Sequence, residues 1–97
     1  MNNLQVINQQ KVLGRDFKIY GTIESPLFLA KDVAEVIEHS DVSKMVKTVD
    51  EDEKLIRTLF VSGQNRELWF LTEYGLYEVL MQSRKPIAKQ FKKQIRR

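Results

Sequence analysis

The sequence predicts an α+β domain in which short antiparallel strands, including a central β-hairpin, pack with about four helices. Three observations carry that expectation. Residues Leu4 to Thr22 crowd β-forming side chains (Val6, Ile7, Val12, Leu13, Phe17, Ile19, Tyr20) between turn-prone residues. Lys54 to Val61 alternates strictly, with Leu55, Arg57, Leu59 and Val61 on one face and Ile56, Thr58 and Phe60 on the other. Three further segments repeat their apolar residues at helical spacing.

In chain order, Leu4 to Thr22 reads as two or three short strands punctuated at Gly14 and Gly21. "LFLAKDVAEVIEHS" then places Ala30, Val33, Ala34 and Ile37 on one helical face and leaves Lys31, Asp32, Glu35 and Glu38 for solvent. A shorter helix, "DVSKMVKTV", starts at Asp41, whose carboxylate suits the free N–H groups of a first turn. Asp50 to Glu53 forms an acidic corner without the spacing of a calcium loop, so a solvated turn is expected. Lys54 to Val61, "SGQN" and "RELWFLT" read as a hairpin with a loop of about four residues.

Thr72 suits the N-cap of a third helix, "EYGLYEVLMQ", with Glu73, Leu76, Tyr77, Leu80 and Met81 near one face. Gly75 inside it costs up to about 1 kcal/mol relative to alanine, and close approach of a strand is the expected reason. The last helix follows Pro86, which fits a first turn because its missing N–H is not needed there. Around it, Ile87, Ala88, Phe91, Gln94 and Ile95 fall in an arc of roughly 120° that should dock on the domain.

The strongest functional signal is a run of positive charge, of which Lys85, Lys89, Lys92, Lys93, Arg96 and Arg97 fall opposite that arc. Arg84, Lys85, Lys89, Lys92, Lys93, Arg96 and Arg97 crowd the last 15 residues with no acidic residue among them, while the first 82 carry 9 basic against 13 acidic residues. A localised patch of this kind steers polyanions better than diffuse charge does. Lys85, Lys89, Lys93 and Arg97 also repeat at i,i+4, where each like-charge pair destabilises a helix by roughly 0.2 to 0.5 kcal/mol. Either these residues are a solvated helix face, or they are a surface for phosphate, which Lys44 and Lys47 of the short helix could extend.

Other residues point to ordinary roles. Arg57 and Arg66 are expected to pair with the acidic corner, and Trp69, Phe70, Tyr74 and Tyr77 to be core rather than a base-stacking platform. His39, the one histidine, reads as a local cap or surface residue, and Lys31 and Asp32 as surface or capping groups. There is no cysteine, and no glycine-rich phosphate loop, nucleophile elbow or paired-carboxylate arrangement. No enzyme, cofactor or metal is therefore expected.

At 97 residues, one domain over 1–97 is expected. No apolar run approaches the roughly 20 residues that span a bilayer, and the N-terminus lacks the pattern of a secretory signal, which places the protein in a cytoplasm. The chain ends on "QIRR" without a helix stop signal, as a piece of a longer protein would.

The residues also resemble a family. "PLFLAKDVAEVI" and "TEYGLYEVLMQSRKPIAKQFKKQI" are similar to the N-terminal domain of the BRO family and phage antirepressors. The resemblance rests on an aromatic-x-A-K-D-V-A entry (Phe28 to Ala34), E-x-G-L-Y (Glu73 to Tyr77) and S-R-K-P-x-A-x-x-F (Ser83 to Phe91). Thr72 stands where the family commonly has Asn, and Gln94 where a Trp is frequent. The resemblance implies a DNA-binding transcriptional regulator of virus or prophage origin, acting in the cytoplasm of a bacterial host and carrying a separate C-terminal domain. A protein-interaction module that binds a repressor or itself is the rival expectation, and the oligomeric state stays open.

Overall fold

In the computed structural model, which describes residues 4–83 and 85–94, the chain builds one five-stranded antiparallel sheet covered on one face by helices. Strands β1 (Val6–Val12) and β2 (Arg15–Gly21) form a first hairpin, and Leu13 and Gly14 turn the chain with φ of +53° and +79°. A second hairpin pairs β4 (Lys54–Val61) with β5 (Gln64–Leu71) in full register from Lys54↔Leu71 to Val61↔Gln64. Its turn is Ser62-Gly63, with φ of +52° and +80°. Two residues at positive φ match the twist of paired strands, so the loop is two residues rather than the expected four, and Gln64 and Asn65 belong to β5.

Between the hairpins lies β3 (Pro26–Leu29), giving the order β1-β2-β3-β5-β4. From sequence this segment reads as part of the first helix, which in the structure is α1 (Ala30–Val36). A short apolar run fits a strand or a buried helix turn equally well by periodicity; here β2 supplies partners on one edge (Tyr20↔Leu27) and β5 on the other (Phe28↔Leu71). Pro26 is tolerated because it is the first residue of the strand.

The remaining elements are α2 (Val42–Lys47), a 3₁₀ turn at Glu51–Glu53, α3 (Glu73–Gln82) and α4 (Pro86–Gln94). Both expected caps are present: Asp41 Oδ1 accepts from the Lys44 N–H at 3.1 Å, and Thr72 Oγ1 from the Gly75 N–H at 3.1 Å. His39 acts locally, its Nδ1 accepting from the Asp41 N–H at 3.1 Å. On α3 the buried stripe is Gly75, Leu76, Val79 and Leu80, and Met81 is 74% exposed, so the inward arc lies slightly to one side of the expected one.

The main core joins the helix-facing side chains of the sheet to the helices. Phe17 stacks on Phe28 with ring centroids 6.2 Å apart and meets Phe91 of α4 edge-on at 5.0 Å. A smaller cluster of Tyr20, Leu27, Leu29 and Phe70 fills the opposite face, flanked by the half-buried Leu55, Leu59 and Leu68. Of the four aromatics read as core, Phe70 is buried and Tyr77 half-buried, but Trp69 is partly exposed and Tyr74 is 73% exposed. Trp69 and Tyr74 lie where the second hairpin and α3 face solvent, which periodicity cannot reveal.

A β-carbon on Gly75 would overlap the Glu53 carbonyl oxygen and crowd Val49 Cγ1 at 3.3 Å. The close neighbour is thus the end of the 3₁₀ turn rather than a strand. That same carbonyl accepts the Thr72 N–H at 3.1 Å, and the Thr72 hydroxyl also bonds the Glu53 carboxylate, so the turn has little room to retreat. Gly75→Ala is therefore expected to destabilise by about 1 to 3 kcal/mol, although the same change in an open helix gains about 1 kcal/mol. Equilibrium urea unfolding checks the sign.

Candidate nucleic-acid interface

Helix α4 has a fixed inner face and a charged outer one. Ala88 and Phe91 are fully buried and Ile87 half-buried, whereas Lys85, Lys89, Lys92 and Lys93 are exposed. At about 100° per residue Lys89, Lys92 and Lys93 of the helix fall within an arc of about 100° on the side away from Phe91. The helical phase read from the sequence is therefore the one adopted. From Lys89 to Lys93 the axis advances about 6 Å, a length along which a duplex carries three or four phosphates. Three or four simultaneous contacts are geometrically reasonable.

The lysines are not equivalent. Lys85 Nζ donates to the carbonyl oxygen of Glu38, the residue that ends α1 in a left-handed conformation with φ of +58°. Lys89, Lys92 and Lys93 make no ion pair with any described residue; Lys11–Asp16, at 3.2 Å, is the one ion pair among them. Arg84, Arg96 and Arg97, also expected on this surface, lie outside the described residues, as does Ile95.

Lys44 and Lys47 are exposed in the last turn of α2, where the helix dipole favours cations whatever their function. A groove of about 370 Å³ lined by Ile37, His39, Met45, Thr48, Gln82 and Lys85 lies between α2 and the start of α4. Lys85 lines this groove, and Lys44 and Lys47 do not. Lys89 to Lys93 lie farther along the chain, in α4.

The expected pairing of Arg57 and Arg66 with the acidic corner does not occur. Arg57 Nη1 donates to the Ile56 carbonyl at 2.9 Å, and Arg66 Nη2 approaches Gln64 Oε1 at 3.5 Å. Both stand exposed on the second hairpin, which runs away from the corner; only Lys54 folds back, donating to the Val46 carbonyl at 3.0 Å. Sequence offered no signal for this, because the reach of the hairpin depends on where β3 stops.

The two hairpins enclose a cleft of about 660 Å³ floored by α1, with Lys18, Lys31 and Arg66 among its linings beside Asp16, Asp32 and Glu35. Burial, reinforced by the nearby Glu35, raises the Asp32 carboxyl above its ordinary range against the opposing pull of Lys18 and Lys31. The Tyr20 hydroxyl is raised by burial and then by Asp32. With its charges mixed, this cleft is a poorer phosphate surface than α4. Among the described residues no cluster of three His, Cys, Asp or Glu could hold a metal, and no helix is long and apolar enough to cross a membrane.

Residues 16–96 match the model of the BRO family, N-terminal domain. The chain is also similar to Bro-N domain-containing protein 289L of Invertebrate iridescent virus 6, with 28% identity over 95 residues, covering 78% of this chain and 23% of that protein. The chain therefore spans less than a quarter of the length of this curated relative. No solved structure matches it.

The raised Asp32 makes a pH prediction. Above the unfolded carboxyl value of about 3.9 the unfolded chain releases this proton while the folded chain still holds it, so stability falls as pH rises through the window. Asp32→Asn should gain stability relative to the parent between about pH 4 and neutrality, and the gap should shrink near pH 3. Denaturant midpoints measured across this range test it; a gap independent of pH would remove the burial effect on Asp32.

Proposed function

The chain belongs to the BRO family through its N-terminal domain, and from that premise we propose that it is the DNA-binding module of an antirepressor-type regulator, carried by a virus or prophage and acting in the cytoplasm of its host. The observation that carries this reading is α4. Phe91 locks one side of the helix into the aromatic core, and the other side offers lysines that no described acidic residue neutralises. Like charges at i,i+4 oppose folding slightly, and a polyanion relieves them. The domain spans a minor part of its relative's length, so the regulatory output belongs to the longer protein in this reading.

A second reading, a surface for a repressor or a second copy, has one observation in its favour. Tyr74 and Met81 stand 73% and 74% exposed on the outer face of α3, beside Asp50, Glu53 and Glu78. That acidic and apolar patch suits a basic protein segment and would repel DNA.

Binding to a duplex of arbitrary sequence should weaken with salt at a log-log slope near −3.6 if about four phosphates are neutralised. Changing Lys89 and Lys93 together to Gln should bring the slope to roughly −1.8 without lowering the melting temperature. Fluorescence anisotropy from low to physiological salt reads both. A salt-independent affinity, or none at low salt, favours the protein-interaction reading.

The two faces of α4 should also respond differently to truncation. Phe91→Ala is expected to cost about 3 to 5 kcal/mol, while Lys92→Ala should change stability by no more than about 0.5 kcal/mol and still weaken DNA binding. Thermal melts of both variants beside the binding titration make the comparison.

A further inference from the structure

The second hairpin projects. Its strands pair along eight residues each, yet β5 pairs with β3 only through Phe70 and Leu71, so from Gln64 to Trp69 the outer edge of β5 has no strand beside it among the described residues. Measured from Phe70, which lies opposite Leu29, the ribbon extends about 20 Å to its turn at about 3.3 Å per residue. The first hairpin overruns β3 in the same direction, since β2 and β5 both run antiparallel to β3, but by only about 10 Å. The two turns therefore point to one end of the molecule, and the second stands farther out. The last turn of α4 is at that end as well, because Gln94 Oε1 accepts the Leu13 N–H of the first turn at 2.7 Å.

The chemistry of the ribbon differs from that of α4. Gln64 and Arg66 share one face with Arg57, and Asn65 shares the other with Phe60, which is 67% exposed. Glu67 is the one acidic side chain among its residues. Lysines on α4 are point charges suited to phosphate oxygens, whereas Arg, Asn and Gln make bidentate contacts to base edges and an apolar side chain meets the thymine methyl. A two-stranded ribbon also fits a major groove about 12 Å wide.

Resting on the DNA-binding reading above, we propose that the β4–β5 ribbon enters the major groove of duplex DNA and reads base sequence through Asn65, Arg66 and Arg57, while α4 holds the adjacent backbone. Affinity and selectivity then reside on separate elements. The ribbon supplies little of the salt dependence, and α4 supplies little of the sequence preference.

The test uses the 97-residue chain. Selection from a randomised duplex library defines a preferred site, and affinities for that site and a scrambled duplex are compared for the parent, for Arg57→Gln with Arg66→Gln, for Asn65→Ala alone, and for Lys89→Gln with Lys93→Gln. Circular dichroism confirms that each variant is folded; the single Asn65 change leaves the turn and both arginines intact. The ribbon variants should lose about tenfold or more of the selected-to-scrambled preference and still bind scrambled DNA. The lysine variant should weaken on both duplexes alike. Ribbon variants that keep the full preference, or a parent that binds DNA without any preferred site, overturn the ribbon assignment and leave the DNA-binding reading standing. A parent that binds no duplex overturns both, and a ribbon change that abolishes self-association instead assigns the ribbon to a second copy.

Discussion

The shortest strand is the constraint on which the architecture depends. β3 has four residues, all buried, with one hairpin bonded to each edge. Phe28 faces the helices, and Leu27 and Leu29 join the cluster on the other side, so one tetrapeptide contributes to both cores. The chain then passes from Leu29 into α1 without a loop, which fixes the helix against the sheet it has just left. Because β3 ends there, both hairpins run past it and part, leaving a cleft between them. A longer β3 would close that cleft and shorten the free length of the second hairpin.

What was legible in the sequence is what short-range chemistry decides. Alternation places Leu55 and Leu59 on one face of β4, the capping side chains of Asp41 and Thr72 mark two helix starts, and the period of α4 places Phe91 inward. What was not legible depends on neighbours distant in sequence. "PLFL" becomes a strand because β2 and β5 supply partners on both edges, and Gly75 is required by a carbonyl that arrives from Glu53. The exposures of Trp69, Tyr74 and Met81, and the free standing of Arg57 and Arg66, follow from which elements overhang which. The lysines of the C-terminal charge run that are described follow the helical phase read from sequence; Arg84, Arg96 and Arg97 fall outside the described residues.

Stability and surface chemistry are kept on different sides of the same elements. α4 contributes Phe91 to the core and lysines to solvent, and β4 contributes Leu55 and Leu59 to a small core while Phe60 and Ile56 remain outside. A two-stranded ribbon is marginal alone in water. This one is held by a two-residue turn, by the Ile56–Trp69 cross-strand pair and by the Lys54 ammonium 5.7 Å from the Trp69 ring centroid. Those supports lie at its base and its tip, which leaves side chains between them free to differ without disturbing the main core.

The bond from the Leu13 N–H to Gln94 Oε1 spans 81 positions of the chain. Closing so long a loop carries an entropic cost that grows only logarithmically with length, but it must be met before the contact returns anything. α4 is held by few buried side chains, concentrated in Ala88 and Phe91, which suits it to open as a unit. In native-state hydrogen exchange, its amides would then open together at lower free energy than those of β2 and β3, as a separate cooperative unit. Any molecule that grips the outer face of α4 would slow that opening, so occupancy could be read as amide protection far from the contact itself.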